Sequence, residues 1–213
     1  MQHWRYFLML EEEILSLRKY IEFDEANYNT YSLEICKQLG SVCSEIDTLF
    51  KDICFMLGSK RLNRIDKYQD FLKKNQESFE LNLEIEKVNL WGSELTFSPF
   101  YNLYKSSKTQ NKKGNCDEHF EVIDWWKANN GIKHNRVAEY KAGNLKNLLS
   151  AASALFMLNL LHAEILKKTD IIPANKLFTL RNHTYASVTP LAGGNGTPVI
   201  RINHLCQQPN WVA

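Results

Sequence analysis

The stretch LKNLLSAASALFMLNLLHAEILKK, residues 145–168, decides the fold. Wound as a helix it is apolar nearly all round, which a helix sustains only when covered on most sides. Its most apolar part, Leu148–Leu161, falls short of the ~20 apolar residues that a bilayer span needs, and Ser150, Ser153 and Asn159 interrupt it. The stretch therefore reads as the central helix of a soluble bundle, and the remaining segments are judged by how they would cover it.

Toward the N-terminus, Phe7, Leu10, Ile14, Leu17 and Ile21 recur in steps of three and four, predicting an amphipathic helix over residues 5–23. A polar break at residues 24–29 leads to Ser32, a candidate N-cap. From there a second helix, with Leu39, Cys43, Ile46, Phe50, Ile53 and Leu57 on one face, runs to a stop at Gly58. Two long helices across a short break predict an antiparallel hairpin. Residues 61–74 are basic and form a further short helix. Phe79, Leu81, Leu83 and Ile85 then alternate with polar residues at period two, as a strand does. Residues 88–90 and 95–97, separated by Trp91-Gly92-Ser93-Glu94 and closed by Pro99, predict a hairpin.

Residues 105–116, KSSKTQNKKGNC, carry lysines and no acid or large apolar residue, and predict a mobile surface loop; an alternative use is as a phosphate-contacting arm. Asp117 is a candidate N-cap for a helix carrying Phe120, Ile123 and Trp126. Beyond Asp170, prolines and Gly193-Gly194-Asn195-Gly196 separate β-prone runs at 176–180 and 199–202, expected to form a small hairpin on the bundle. Residues 207–213 are expected to fray. The glycine run lacks the strand-to-helix context and the Lys-Ser/Thr of a phosphate loop, and reads as a turn. The expected fold is mainly α: a bundle of four to five helices over residues 1–170, with a β insertion at 79–98 and an irregular, β-prone tail at 171–213.

A formal net charge of +2 and a pI of about 8.2 create no global field that would gather polyanions, so any nucleic-acid binding must come from a local patch. The cysteines show no C-x-x-C pair and no zinc-type spacing. Cys36, Cys43 and Cys54 fall within roughly 20° of one another on a helix and read as small buried apolar residues. Their usage, with no signal-like segment in residues 1–10, predicts a reducing, cytoplasmic setting. His119, His162 and His183 have no ligand partner at i+4, so no metal or cofactor is expected. Asp47 and Lys51 form an i,i+4 surface pair. Glu45 is a candidate inward-facing partner of His134 or Arg136.

The polar cluster lies just upstream of the central helix: Trp125-Trp126-Lys127-Ala128-Asn129-Asn130-Gly131-Ile132-Lys133-His134-Asn135-Arg136. A metal-independent ribonuclease needs a group to take the 2′-hydroxyl proton, a donor for the leaving 5′-oxygen and positive charge on the phosphate. Histidine with lysine or arginine supplies these near neutrality. His134 between Lys133 and Arg136 is the candidate catalytic centre, with Asn130 one turn earlier on the same face, and Lys127 and Asn129 as further binding residues. The bland alternative is a structural imidazole bracing helices, with solvated cations and tryptophans in the core. Exposure separates the two readings.

The cluster is similar to the pattern W-W-x-x-Y-N-x-x-K-H-x-R of bacterial helical proteins related to the HEPN superfamily. The resemblance covers residues 125–166 and, more loosely, the hairpin at 5–58. It implies a helical, RNA-acting protein of a toxin–antitoxin or anti-phage defence system, paired as a homodimer so that two His134 side chains meet. The family's usual signature is an arginine four to six residues before the histidine. Here no arginine stands there; Lys127 has the spacing, but it binds phosphate as a point charge without a planar fork. Asn129 stands where the pattern has tyrosine. The alternative is a catalytically inactive bundle serving as a protein-interaction module or a nucleotide-binding module, with Trp125 stacking on a base and Asn129 and Asn130 reading its edge.

Overall fold

The computed structural model describes residues 1–110, 116–181, 185–190 and 198–203 of the 213-residue chain. In chain order these form α1 (Gln2–Ser16), α2 (Leu33–Met56), α3 (Ile65–Asn75), β1 (Val88–Leu90), β2 (Thr96–Phe97), β3 (Ser106–Gln110) and β4 (Cys116–Phe120). There follow α4 (Asp124–His134), α5 (Arg136–Glu139), α6 (Leu145–Ile165), β5 (Asp170–Ile171), β6 (Phe178–Leu180), β7 (Ala186–Pro190) and β8 (Pro198–Ile202). The protein is mainly α. Six α-helices among the described residues exceed the expected four to five because the polar cluster divides into α4 and the single turn α5.

The apolar stretch is the central helix. α6 starts where Asn144 accepts a hydrogen bond from the Asn147 backbone N–H at 3.0 Å, an N-cap that satisfies one of the helix's free donors. It is long and apolar enough to cross a membrane, but 83% of its most apolar window is buried inside the protein. α2 packs along it, and α1 and α4 cover further sides. Burying side chains such as Leu155, Leu158 and Phe156 contributes about 1.5–3 kcal/mol each, the main force holding the layers together.

α2 follows the sequence reading closely. Ser32 Oγ accepts from the Ile35 N–H at 3.1 Å, and Gly58 takes φ +90°, the left-handed conformation that ends a helix without a Cβ penalty. α1 and α2 are antiparallel: His3 at the start of α1 reaches Glu45 late in α2, and Gln38 near the start of α2 donates to the Glu13 carbonyl near the end of α1. Helix α1 ends at Ser16, with a short 3-10 turn at Leu17–Lys19, earlier than residue 23.

The β readings needed most correction. Residues 79–86 are turns and loop, not a strand. Leu81 and Leu83 are buried as the alternation implied, but Ile85 is exposed. The backbone donors that a strand would pair are met by a side chain: the Glu164 carboxylate accepts from Glu80 N at 2.7 Å and Leu81 N at 3.2 Å. The predicted hairpin is present as β1 and β2, antiparallel with Val88 opposite Phe97. Its other edge is closed by β6, with Asn89 opposite Thr179, so the tail and the insertion form one sheet. The runs at 176–180 and 199–202 therefore do not pair with each other; β8 lies between β5 and β7.

Residues 106–110 of the expected loop and residues 116–120, where the next helix was expected to open, form the β3–β4 hairpin, with Ser106 opposite Phe120 and Gln110 opposite Cys116; residues 111–115 lie outside the described residues, and the expected helix starts later, at Asp124. The hairpin's base is braced from α3, where Gln69 Nε2 donates to the Leu103 carbonyl at 2.8 Å and the Glu121 carbonyl at 3.0 Å. That brace comes from a residue distant in sequence, which a local pattern cannot reveal. The glycine run at 193–196, His183 and residues 207–213 lie outside the described residues.

The segment after α6 is held on α1 by two buried groups. Trp4 Nε1 donates to the Pro173 carbonyl at 2.8 Å, and the Glu11 carboxylate accepts from Lys176 N at 3.0 Å and Leu177 N at 2.8 Å.

Candidate functional site

Two tryptophans anchor α4. Trp125 is 2% exposed, donates from Nε1 to the Pro99 carbonyl at 2.8 Å and meets Phe100 edge-on at 6.2 Å. It is part of the core and cannot stack on a base, which removes that element of the nucleotide-binding alternative. Trp126 packs edge-on against Trp125 and is also buried, while Ala128 and Ile132 complete the inward face.

α4 stops where Asn135 leaves helical geometry at φ −146°, ψ 69°, and the Asn135 side chain then accepts from Ala138 N at 3.4 Å to open α5. His134 is thus the last residue of one helix and Arg136 the first of the next. The chain reversal that follows needs Gly143. A Cβ there would stand 2.1 Å from Cys36 Sγ on α2, so with Cys36 in place any larger residue forces α2 or the thiol to shift.

His134, Lys133 and Arg136 are all exposed, and Asn129 and Asn130 are half-buried. All five line one groove of about 1260 Å³, whose opposite walls come from α2 and from the start of α3. Lys127 is exposed but lies outside this lining. The His134 imidazole is open to solvent and is not sealed beneath Trp125 or Trp126.

The charges in the groove are unequal in their freedom. Asp47 pairs with Lys51 and accepts from Tyr68 OH at 2.9 Å; Asp66 pairs with Arg64 at 2.9 Å, and Asp70 with Lys74 at 2.7 Å. Lys37 is held by Glu34 at 2.9 Å. Among the described residues Lys67, Lys133 and Arg136 have no ion-pair partner, so every acid in the lining is matched while these three cations remain available. Arg136 also reaches toward α2: burial pushes the Cys36 thiol above its ordinary value, and the Arg136 charge opposes that rise.

A second imidazole, His119 on β4, lines the same groove. It precedes α4 in the sequence, whereas His134 closes that helix. Lys133, in the last turn of α4, also complements the negative end of the helix dipole.

Glu45 does not face His134 or Arg136. Its Oε1 instead accepts from a different imidazole, with His3 Nδ1 at 2.6 Å. Arg64, Lys67 and His119 were absent from the sequence reading of the site because only the packing of α3 and the β3–β4 hairpin against α2 and α4 brings them near. The basic character of residues 61–74 was the available signal. Among the described residues, no group of three or more His, Cys, Asp or Glu side chains is arranged to hold a metal ion.

No family model matches this chain, and no curated protein or solved structure is similar to it.

Proposed function

We propose that this is a HEPN-like protein that acts on single-stranded RNA, with the α2–α3–α4 groove as its binding site and His134 as its proton-transfer group. The observation that carries the reading is the exposed imidazole between two unpaired cations, in a groove whose acids are all engaged. Lys133, Arg136 and, from the facing wall, Lys67 would hold phosphates, and the Asn129 and Asn130 amides would meet sugar or base edges.

In the cleavage step His134 takes the 2′-hydroxyl proton while the 2′-oxygen bonds to phosphorus and the bond from phosphorus to the 5′-oxygen breaks. The products are a 2′,3′-cyclic phosphate and a 5′-hydroxyl, the departing oxygen taking its proton from water in the open groove. The cations offset the charge that grows on the phosphoryl oxygens. The cysteine usage supports a cytoplasmic setting for this activity, and the resemblance supports a homodimer as its assembly, with a partner protein as the alternative.

A second reading, binding without cleavage, is favoured by the missing arginine four to six residues before His134, where the signature of the resembled family carries one. One experiment separates them. Labelled single-stranded RNA is incubated with the protein in excess chelator, and binding is followed by anisotropy and cleavage by gel. His134→Ala abolishes cleavage and leaves binding within about threefold if the first reading holds. Binding without cleavage by the unaltered protein selects the second, and absence of binding at low salt refutes both.

A further inference from the structure

A second polar cluster lies away from the groove, where α1, α2 and α6 meet. His3 of α1 approaches Glu45 Oε1 through Nδ1 at 2.6 Å and Asp52 Oδ2 through Nε2 at 3.4 Å. His162 of α6 approaches the same Asp52 oxygen through Nε2 at 3.3 Å, and the two rings meet edge-to-face at 5.3 Å. Two carboxylates from α2 thus face one imidazole from each neighbouring helix. His162 is 5% exposed, and His3 and Asp52 border a second groove of about 790 Å³, which gives protons a route from solvent.

We propose that these four side chains form a proton-operated clasp, closing α1 onto α2 and α6 most firmly when His3 is charged and His162 is neutral.

The geometry separates the two roles. His3 has a carboxylate on each ring nitrogen, which rewards the imidazolium; His162 has one shared carboxylate oxygen, deep burial and a neighbouring imidazole, which penalise a second positive charge. Accordingly the Glu45 contact, aided by Asp52, holds His3 above its ordinary value of 6.5, whereas burial and the charge of His3 hold His162 below 6.5. The other charged groups facing the cluster are the amino group at Met1, which also disfavours charge on His162, and Lys51 and Arg61 at the rim of the second groove; Lys51 is engaged by Asp47.

The signs give the clasp two arms. For His3, raised in the folded state, the stabilisation is complete below 6.5 and is lost as pH rises through its raised value. For His162, lowered in the folded state, it is complete above 6.5 and is lost as pH falls through its lowered value. The cluster's contribution therefore peaks near pH 6.5 and declines on both sides. Because Tyr6 of α1 lines the first groove, loosening α1 also changes that groove's wall. The inference does not depend on what the groove binds.

The test is the pH profile of thermal stability between about pH 5 and 9 for the unaltered chain, His3→Gln and His162→Leu, with NMR titration of both imidazoles in the unaltered chain. The expected result is a stability difference between wild type and His3→Gln that shrinks as pH rises above 6.5. For His162→Leu the difference shrinks as pH falls below 6.5. His3 titrates above 6.5 and His162 below it, and Glu45→Gln moves His3 downward. Flat difference profiles, or equal midpoints for the two rings, overturn the clasp. The NMR titration of the unaltered chain decides the matter even if a variant fails to fold.

Discussion

Gly143→Ala is a stringent probe of how the site is assembled, because the added methyl has nowhere to go. Its carbon would lie 2.1 Å from Cys36 Sγ, 3.2 Å from Ile132 Cδ1 and 3.3 Å from Cys36 Cα. A carbon and a sulfur require more than about 3.5 Å, so a shift above an ångström must be absorbed where α2 meets the turn into α6. Overpacking of this kind costs about 1–3 kcal/mol, or roughly 2–12 °C in melting temperature for a chain of this size. The assay is equilibrium urea unfolding with a double-mutant cycle. Cys36→Ala removes the sulfur, a weak donor to the Tyr140 and Gly143 carbonyls at 3.7 and 3.9 Å, and should cost little alone. In the double variant the nearest atoms stand beyond 3 Å, so more than half of the loss should return as a favourable coupling energy. Gly143→Ala within about 0.5 kcal/mol of wild type, or no coupling to Cys36→Ala, would refute the packing argument.

Glu11→Ala should destabilise the chain by about 2–4 kcal/mol in the same unfolding assay, because it strips the acceptor from the Lys176 and Leu177 backbone N–H groups. Burial raises the Glu11 carboxyl above its ordinary 4.5. Its proton linkage therefore adds stability below that value and loses it as pH rises through the raised one, and Glu11→Gln should remove this acid-side increment. Trp125→Phe retains the ring but leaves the Pro99 carbonyl without its donor, an expected loss of about 1–3 kcal/mol that fluorescence-monitored unfolding would register; no measurable loss would argue that water reaches that carbonyl.

What the sequence made legible follows from where each signal is local. The bundle's core was readable because helical periodicity is set by residues within two turns: Ser32, Gly58 and the apolar stretch of α6 all stand where the pattern put them. Residues 79–86 misled because alternation records burial, and a buried loop alternates as well as a strand when a distant carboxylate, here Glu164, satisfies its backbone. Residues 105–110 misled in the opposite direction. Their polar composition matches a loop, yet the strand is made by a hydrogen-bonded partner, which composition does not encode. At the site, the sequence left the exposure of His134 open, which the end of α4 at Asn135 decides, and the facing Lys67 and Arg64 depend on tertiary packing alone.

Helix α2 connects the two polar regions. Through Lys37 and Asp47 it forms a wall of the His134 groove, and through Glu45 and Asp52 it supplies the carboxylates for His3 and His162. Asp47 and Glu45 are two residues apart, so on a helix they point some 160° from each other and serve opposite sides. Both regions open to solvent, the first through His134 and the second through His3 and Asp52. A shift of α1 on proton uptake or release would therefore reach the groove by two physical routes: directly through Tyr6, and through α2, the helix against which both α1 and α4 are packed.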